Sequence, residues 1–333
     1  MANQLLSIAP RHVSLPENYV RPEPQRPRLH EVIAGTSIPT IDLNSPDIID
    51  EVADACTSHG CFLVVNHGVE SVPEMLEVSS EFFDLPAEEK AKHYSDDPMK
   101  KMRLSTSSNV RTETVRNWRD YLRLHCYPLE EFVPSWPSNP PSFKRVVSTY
   151  CREVRQVGMQ ILRVISLSLE LEEEYLVKIL GELEQHMAIN YYPRCPQPEL
   201  TYGLPPHTDP NAFTILLQDP SVPGLQVLKD GHWIAVDPQP NALVINIGDQ
   251  LQALSNGRYK SAWHRAVVNS DKERISVASF VCPCKSVVIN PPEKLITNGS
   301  PAVYKSYTYD EYYTKFWSRN LDDEHCLELF KRE

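Results

Sequence analysis

The sequence feature that most constrains the fold is a series of short, β-prone runs between residues 187 and 283. Turn-forming residues separate the runs, and the Asp-Gly pair within 229–232 accepts the positive φ that a hairpin turn needs. Many short strands without helical patterns between them predict a sandwich or barrel, and they argue against a parallel sheet with crossover helices. The runs cover 187–192, 213–218, 224–228, 233–236, 242–247, 262–267 and 275–281.

The rest of the chain frames this β-rich segment. Residues 1–37 contain many prolines, which break helices, and they predict an arm rather than a domain. Residues 38–140 mix strand-like and helical patterns and predict an N-terminal α/β region. Residues 141–333 hold a long amphipathic helix that begins near Ser142, the β-rich core, and a C-terminal helix over 308–330. We expect the regions to form one integrated globule.

The composition excludes several classes of partner. The 33 basic and 44 acidic residues give a net charge of −11, and the basic residues do not cluster, so we expect no nucleic-acid partner. We find neither an apolar signal segment near residue 1 nor an apolar run of about 18 residues, so we expect no membrane association. The eight cysteines include no Cys-x-x-Cys pair and are expected to stay thiols. We expect a cytoplasmic monomer that acts on a small molecule.

Two histidines and one aspartate in the β-rich segment form a candidate metal site. His207 and Asp209 are two residues apart, so their side chains project to the same side of an extended chain. His264 follows 55 residues after Asp209. Two imidazoles and one carboxylate on one side of a metal leave three coordination positions open, which suits non-haem Fe(II) and O₂ chemistry.

An Arg-x-Ser motif follows ten residues after His264. Arg274 can bind a carboxylate through two parallel N–H···O bonds, and Ser276 faces the same way on a strand and can donate another. Phe280 continues the same face and is expected to look into the cavity near the metal. Together with the metal site, the motif predicts an enzyme that uses O₂ and 2-oxoglutarate, with Arg274 at the far carboxylate of the cosubstrate.

Two alternatives remain open at this point. A Zn(II) hydrolase also uses three protein ligands. It would need a general base beside the bound water and would have no use for Arg274 and Ser276, which disfavours it. A non-catalytic small-molecule sensor on the same fold would be expected to lose a metal ligand or the carboxylate-binding pair, and all of these residues are present.

At these residues the chain resembles the plant 2-oxoglutarate/Fe(II)-dependent dioxygenases, in the group that contains flavone synthase, flavanone 3-hydroxylase and anthocyanidin synthase. It is most similar to the salicylate 5-hydroxylases of the downy-mildew-resistance type. The resemblance covers almost the whole chain. Besides the two motifs, it is carried by residues 15–22, 65–69, 118–128, 190–196, 246–251 and 317–321.

The resemblance implies a double-stranded β-helix (jelly-roll) core with flanking helices, and three sets of site residues. Iron would be held by His207, Asp209 and His264. The 2-oxoglutarate cosubstrate would be bound by Arg274, Ser276 and Tyr192, with Asn190 nearby, and ascorbate would serve as reductant. An aromatic substrate would contact Tyr121 and Phe280, in a pocket to which Phe213 also contributes.

The resemblance implies a plant phenolic as the substrate. The first expectation is salicylate, hydroxylated at position 5 to 2,5-dihydroxybenzoate, with succinate and CO₂ as co-products. The alternative is a flavanone such as naringenin, converted to the flavone apigenin. The flavonoid members usually carry a lysine where this chain has Ala188, so a cation that could meet a flavonoid oxygen is missing here. The polar, irregular segment 95–115 would permit closure of a lid over the site.

Overall fold

The computed structural model describes residues 5–7, 13–35, 38–108, 113–297, 299–319 and 324–332. The strands are β1 (Thr40–Asp42), β2 (Cys61–Val65), β3 (Met102–Thr106), β4 (Asp120–His125), β5 (Glu184–Tyr192), β6 (Leu204–His207), β7 (Phe213–Gln218), β8 (Leu225–Lys229), β9 (His232–Ala235), β10 (Leu243–Ile247), β11 (His264–Ala266), β12 (Arg274–Cys282), β13 (Val288–Ile289) and β14 (Tyr307–Thr308). The helices are α1 (Ile48–Ser58), α2 (Val72–Asp84), α3 (Ala87–Ala91), α4 (Leu129–Phe132), α5 (Phe143–Ser168), α6 (Tyr175–Ile179), α7 (Asp249–Leu254) and α8 (Tyr309–Trp317).

Two sheets of unequal size form the centre of the fold. The larger sheet has the strand order β1-β2-β10-β7-β12-β5-β4-β3, and the smaller has the order β6-β11-β8-β9. Apart from the parallel β1–β2 pair, the strands in both sheets pair antiparallel. The larger sheet takes strands from both 38–140 and 141–333, so these two regions share one sheet.

Strand β12 divides the core from the candidate site. Its residues alternate between two faces, as strand geometry requires. Ile275, Val277 and Val281 belong to the main hydrophobic core. The other face carries the polar motif and ends at Phe280, and it looks into a cavity between the two sheets. The sequence-based prediction for the two faces of this strand is thus confirmed.

The long helix α5 covers the outer face of the larger sheet. It spans 26 residues after Ser142, as the 3.6-residue periodicity predicts, and its apolar stripe is buried. Gly158 permits close packing, because a Cβ atom there would lie 3.4 Å from Val281 and 3.7 Å from Phe213. The helix therefore supports the back of the sheet whose front carries the site.

Helices α7 and α8 differ from the sequence-based expectation. Helix α7 interrupts the β-rich segment between β10 and β11, and its six residues are too few to show a helical period. The C-terminal helix ends at Trp317, and Cys326–Phe330 forms a separate 3₁₀ turn. Part of the predicted lid, residues 109–112, lies outside the described residues, while β3 from the same segment forms the edge of the larger sheet.

No helix in the described part of the chain combines the length and apolar character needed to cross a membrane.

Candidate active site

Three buried side chains converge at the inner side of the smaller sheet. His207 Nε2 lies 3.9 Å from Asp209 Oδ1, and His264 Nε2 lies 3.7 Å from Asp209 Oδ2. The two imidazole centroids are 4.2 Å apart. Among the described residues, these three form the one His/Cys/Asp/Glu group compact enough to share a metal ion. The structure thus brings together residues that are up to 57 positions apart in the sequence.

Strand pairing accounts for this convergence. His207 ends β6 and His264 begins β11, and the two residues are direct partners in the antiparallel ladder. Side chains of direct partners lie on the same face of a sheet. Asp209 follows β6 by two residues, so it returns to the same side as His207.

Hydrogen bonds prepare each ligand for a cation. His207 Nδ1 lies 2.8 Å from Pro205 O, and His264 Nδ1 lies 3.2 Å from Ala262 O, so each ring donates its Nδ1–H to the backbone and leaves its Nε2 lone pair free. Burial is the main cause that holds the pKa of His207 well below its usual range, and the nearby His264 lowers this pKa further. The imidazole of His207 therefore stays neutral. Thr214 donates a 2.6 Å hydrogen bond to Asp209 Oδ2.

This donor set fits Fe(II). Neutral imidazoles and one carboxylate from one side leave the opposite positions open, whereas a structural zinc site would fill four positions with protein ligands. His207, Asp209 and His264 would hold the ion here.

Arg274 lies buried beside the metal group. Its Nε–H donates to Val222 O at 3.2 Å and its Nη2 donates to Gln218 Oε1 at 2.9 Å, and both acceptors are neutral. No carboxylate in the described residues forms an ion pair with this guanidinium. Burial lowers the pKa of Arg274, and Tyr192 offsets part of this effect. Gly224 makes room for the side chain, because a Cβ atom there would lie 2.9 Å from Arg274 Cδ. A buried guanidinium without an acidic partner fits an anionic ligand.

The remaining cosubstrate candidates surround Arg274 in strand register. Tyr192 of β5 pairs with Arg274, and Asn190 pairs with Ser276. The ring centroid of Tyr192 is 5.2 Å from Arg274 Cζ, and Asn190 Nδ2 donates to Ser276 Oγ at 3.3 Å. The backbone of Gly203 packs against Tyr192, since a Cβ atom there would come within 2.6 Å of the ring. The four side chains line one wall of the cavity.

The cavity lies between the two sheets and encloses about 520 Å³, including its open mouth. The metal group and the Arg274 wall both face it. Its apolar lining comes from Ala188, Leu204, Leu216, Leu225, Ala266, Ala278 and Phe280, and its polar lining includes Arg119, Thr214, Asn246 and Arg265.

Two of the predicted substrate contacts need revision. The prediction for Phe213 is wrong in placement: this side chain is fully buried in the main core and faces α5, while its neighbour Thr214 faces the cavity. The alternation of strand β7 explains the difference. Tyr121 pairs with Asn190 on the cavity side of the larger sheet but does not line the cavity itself. Its hydroxyl accepts a hydrogen bond from Arg103 Nη2 at 2.8 Å and donates to Ser108 O at 3.1 Å.

Sequence reasoning missed Arg119 and Thr214. Arg119 precedes β4, and the stretch from 118 to 125 carries polar residues at alternate positions, a pattern that predicts one polar face on a strand. That signal was sufficient to place Arg119 and Tyr121 on one side. Thr214 sits in an apolar run without a comparable signal.

Comparisons with known proteins agree with this geometry. The family model described as the 2OG-Fe(II) oxygenase superfamily matches residues 183–283, and the model described as the non-haem dioxygenase in morphine synthesis N-terminal matches residues 38–141. Flavanone 3-dioxygenase 2 of Oryza sativa subsp. japonica is 68% identical over 334 residues, which cover 99% of this chain and 97% of the relative. Protein DOWNY MILDEW RESISTANCE 6 of Arabidopsis thaliana is 60% identical over 338 residues, covering 99% of each chain.

A solved structure supports the fold and the cofactors. The crystal structure of JOX2 in complex with 2OG, Fe and JA matches with a TM-score of 0.88 and 37% sequence identity, over 99% of this chain and 97% of that chain. The predicted double-stranded β-helix is thereby confirmed, as are Fe(II) and 2-oxoglutarate as cofactors. The chain belongs to the 2OG-Fe(II) oxygenase superfamily and is a 2-oxoglutarate- and Fe(II)-dependent dioxygenase.

Proposed function

We propose that this dioxygenase hydroxylates salicylate at position 5 to give 2,5-dihydroxybenzoate, acting as a cytoplasmic monomer. The observation that carries the proposal is the charge of the cavity. Arg119, Arg265 and Arg274 line it, and Asp209 is its one carboxylate among the described residues. Because Asp209 belongs to the metal group, the cavity has an excess of positive charge that favours acidic ligands.

In this proposal each set of residues has one task. His207, Asp209 and His264 bind iron, which supplies the activation of O₂ coupled to decarboxylation of 2-oxoglutarate to succinate and CO₂. Arg274 and Ser276 bind the far carboxylate of 2-oxoglutarate, with Tyr192 and Asn190 supporting them. Phe280 is proposed to contact the substrate directly, and Tyr121 is proposed to act through its contact with Arg119.

The apolar floor suits a small ring. Ala188 and Ala278 are direct partners on β5 and β12, and Phe280 follows on the same face. Two alanines leave flat space beside the aromatic side chain, and an aromatic ring favours an offset or edge contact with Phe280. The protein mainly has to hold the reacting carbon close to the metal, since the cofactors supply the oxidising power.

A flavanone is the second candidate substrate. The similarity to a relative named flavanone 3-dioxygenase 2 favours it, and the reaction would be the conversion of naringenin to apigenin. Ala188 weighs against it, because the side chain at this position of the cavity floor is a methyl group and not a cation.

The test uses the enzyme with Fe(II), ascorbate and 2-oxoglutarate, and salicylate and naringenin in separate reactions. We expect 2,5-dihydroxybenzoate and matching succinate from salicylate. If neither compound produces substrate-dependent succinate, the assignment to these phenolics is wrong. His207→Ala is the control for the sensor alternative: it removes turnover in an enzyme, whereas a sensor would keep its downstream response.

A further inference from the structure

Arg119 places a second buried guanidinium in the cavity, apart from Arg274. Its side chain is 8% exposed and lines the same cavity as the metal group. Its hydrogen bonds go to neutral acceptors: Nε and Nη2 donate to Ser107 O at 3.0 and 2.8 Å, and Nη1 donates to Asn190 Oδ1 at 3.2 Å. In the part of the chain that the structure describes, no carboxylate is paired with it.

Two N–H groups of Arg119 have no acceptor among the described residues. A guanidinium carries five N–H donors, and three of them are used, so one remains on each terminal nitrogen. A buried cation in this state is stabilised by an anion that accepts both hydrogen bonds. A carboxylate has the matching geometry.

The guanidinium is held in place from two sides. The ring centroid of Tyr121 is 4.6 Å from Arg119 Cζ and 5.5 Å from Arg103 Cζ. Arg103 is also buried, and its Nε has no hydrogen-bond partner in the described structure. Arg103 thus adds positive charge behind Tyr121, and the carbonyl of Ser107 fixes the side chain of Arg119 toward the cavity.

The other two arginines of the cavity have different surroundings. Arg265 donates to Gln226, Tyr202 and Pro27, and Trp233 covers its face at 4.0 Å. Arg274 belongs to the proposed 2-oxoglutarate site. Asn190 separates the two functions, because it accepts from Arg119 and donates to Ser276.

We propose that Arg119 binds the carboxylate of a small aromatic acid and thereby directs its ring over Ala188 and Ala278 toward the metal group. The inference rests on the proposed function and names the residue that selects an acid over a neutral phenol. Tyr121 takes part by orienting Arg119.

The experiment compares the anion with a neutral analogue of the same shape. The holoenzyme with Fe(II) and 2-oxoglutarate is titrated anaerobically with salicylate and with salicylamide, and the ratio of the two Kd values is the readout. We expect salicylate to bind about 10- to 100-fold more tightly than salicylamide, as charge-assisted hydrogen bonds at a buried site provide. Arg119→Gln is expected to bring the ratio close to one, and Arg119→Lys is expected to retain part of the preference.

Arg123→Gln is the matched control, since Arg123 lies on β4, four residues after Arg119, and does not line the cavity. The Kd for 2-oxoglutarate is measured in each variant to show that the site is intact. The inference is overturned if the wild type shows no preference, if Arg119→Gln keeps it, or if Arg123→Gln removes it. If Arg119→Gln fails to fold, loss of all preference in a folded Arg119→Lys variant overturns it too.

The failure of the proposed function would look different. Salicylate would then bind with the Arg119-dependent preference and yield no 2,5-dihydroxybenzoate when O₂ is admitted. In that case the acid-binding site stands and the assigned reaction does not.

Discussion

Replacing Arg274 with methionine separates ligand binding from the stability of the fold. The guanidinium is 3% exposed, and its two hydrogen bonds join it to Val222 O and Gln218 Oε1. Methionine fills similar space without the charge. It leaves two acceptors without donors, which costs about 1–3 kcal/mol for each unsatisfied group. It also removes a buried, unpaired cation. Burying such a cation costs several kcal/mol, so its removal stabilises the fold. The two effects oppose each other, so we expect the Tm of the ligand-free variant to stay close to the wild-type value.

The effect on the ligand-bound protein is large. Two charge-assisted hydrogen bonds to 2-oxoglutarate contribute about 3–6 kcal/mol, so the variant is expected to bind at least about 100-fold more weakly. At a 2-oxoglutarate concentration of 100 times the wild-type Kd, the ligand stabilises the wild type by about 2.7 kcal/mol and the variant by about 0.4 kcal/mol. With 333 residues, these energies correspond to Tm shifts of about 4 °C and under about 1 °C.

The assay is thermal unfolding with anaerobic Fe(II), with and without 2-oxoglutarate. Arg145→Met is the control, because Arg145 is exposed and pairs with Glu74 at 3.1 Å on the surface, and it is expected to leave the shift unchanged. A full ligand-induced shift in Arg274→Met would refute the reasoning, since the carboxylate would then be bound elsewhere.

Three further outcomes are expected from the same geometry. Phe213→Ala is expected to lower the free energy of unfolding by about 3–5 kcal/mol in urea denaturation, because its ring is fully buried. Phe280→Ala is expected to raise the substrate KM more than Phe213→Ala does, and equal effects of the two variants on KM would contradict the revised placement of Phe213. Thr214→Val is expected to weaken metal binding about 10-fold, measured by competition with a chelator, because the 2.6 Å hydrogen bond to Asp209 is lost, and an unchanged metal affinity would show that this bond does not orient the carboxylate. Chelation is expected to abolish turnover, with recovery on addition of Fe(II) but not Zn(II), and recovery with the redox-inert Zn(II) would contradict the dependence of the reaction on iron.

The strands that the sequence predicts best are those whose ends are marked by turn-forming residues. Strand β7 was predicted over 213–218, where it is found, because an apolar run stops at Asp219 and Pro220. Strand β6 was not predicted, although it carries His207. It contains Pro205 and Pro206, which lack backbone N–H donors, and it is tolerated because it lies at the edge of the smaller sheet.

The placement of side chains around the cavity depended on pairing that no local pattern reveals. The spacing of His207 and Asp209 predicts a common side, but the distance to His264 follows only from the register of β6 with β11. Arg119 faces the cavity because β4 pairs with β5 at Tyr121 and Asn190. The sequence-based prediction places Phe213 in the pocket, but strand alternation turns its side chain to the other face.

The site is assembled from both sheets, and the hydrogen bond of Thr214 connects the two. The two histidines belong to the smaller sheet, and Arg274 and Ser276 belong to the larger one. The distance between the metal group and the proposed carboxylate-binding pair is therefore a distance between sheets. Thr214 lies on β7 of the larger sheet and donates a hydrogen bond to Asp209, which follows β6 of the smaller sheet. This contact therefore positions the metal group relative to the wall that is proposed to bind 2-oxoglutarate. A cosubstrate that must reach both places at once is sensitive to a displacement of about 1 Å, because catalysis depends on orientation at that scale.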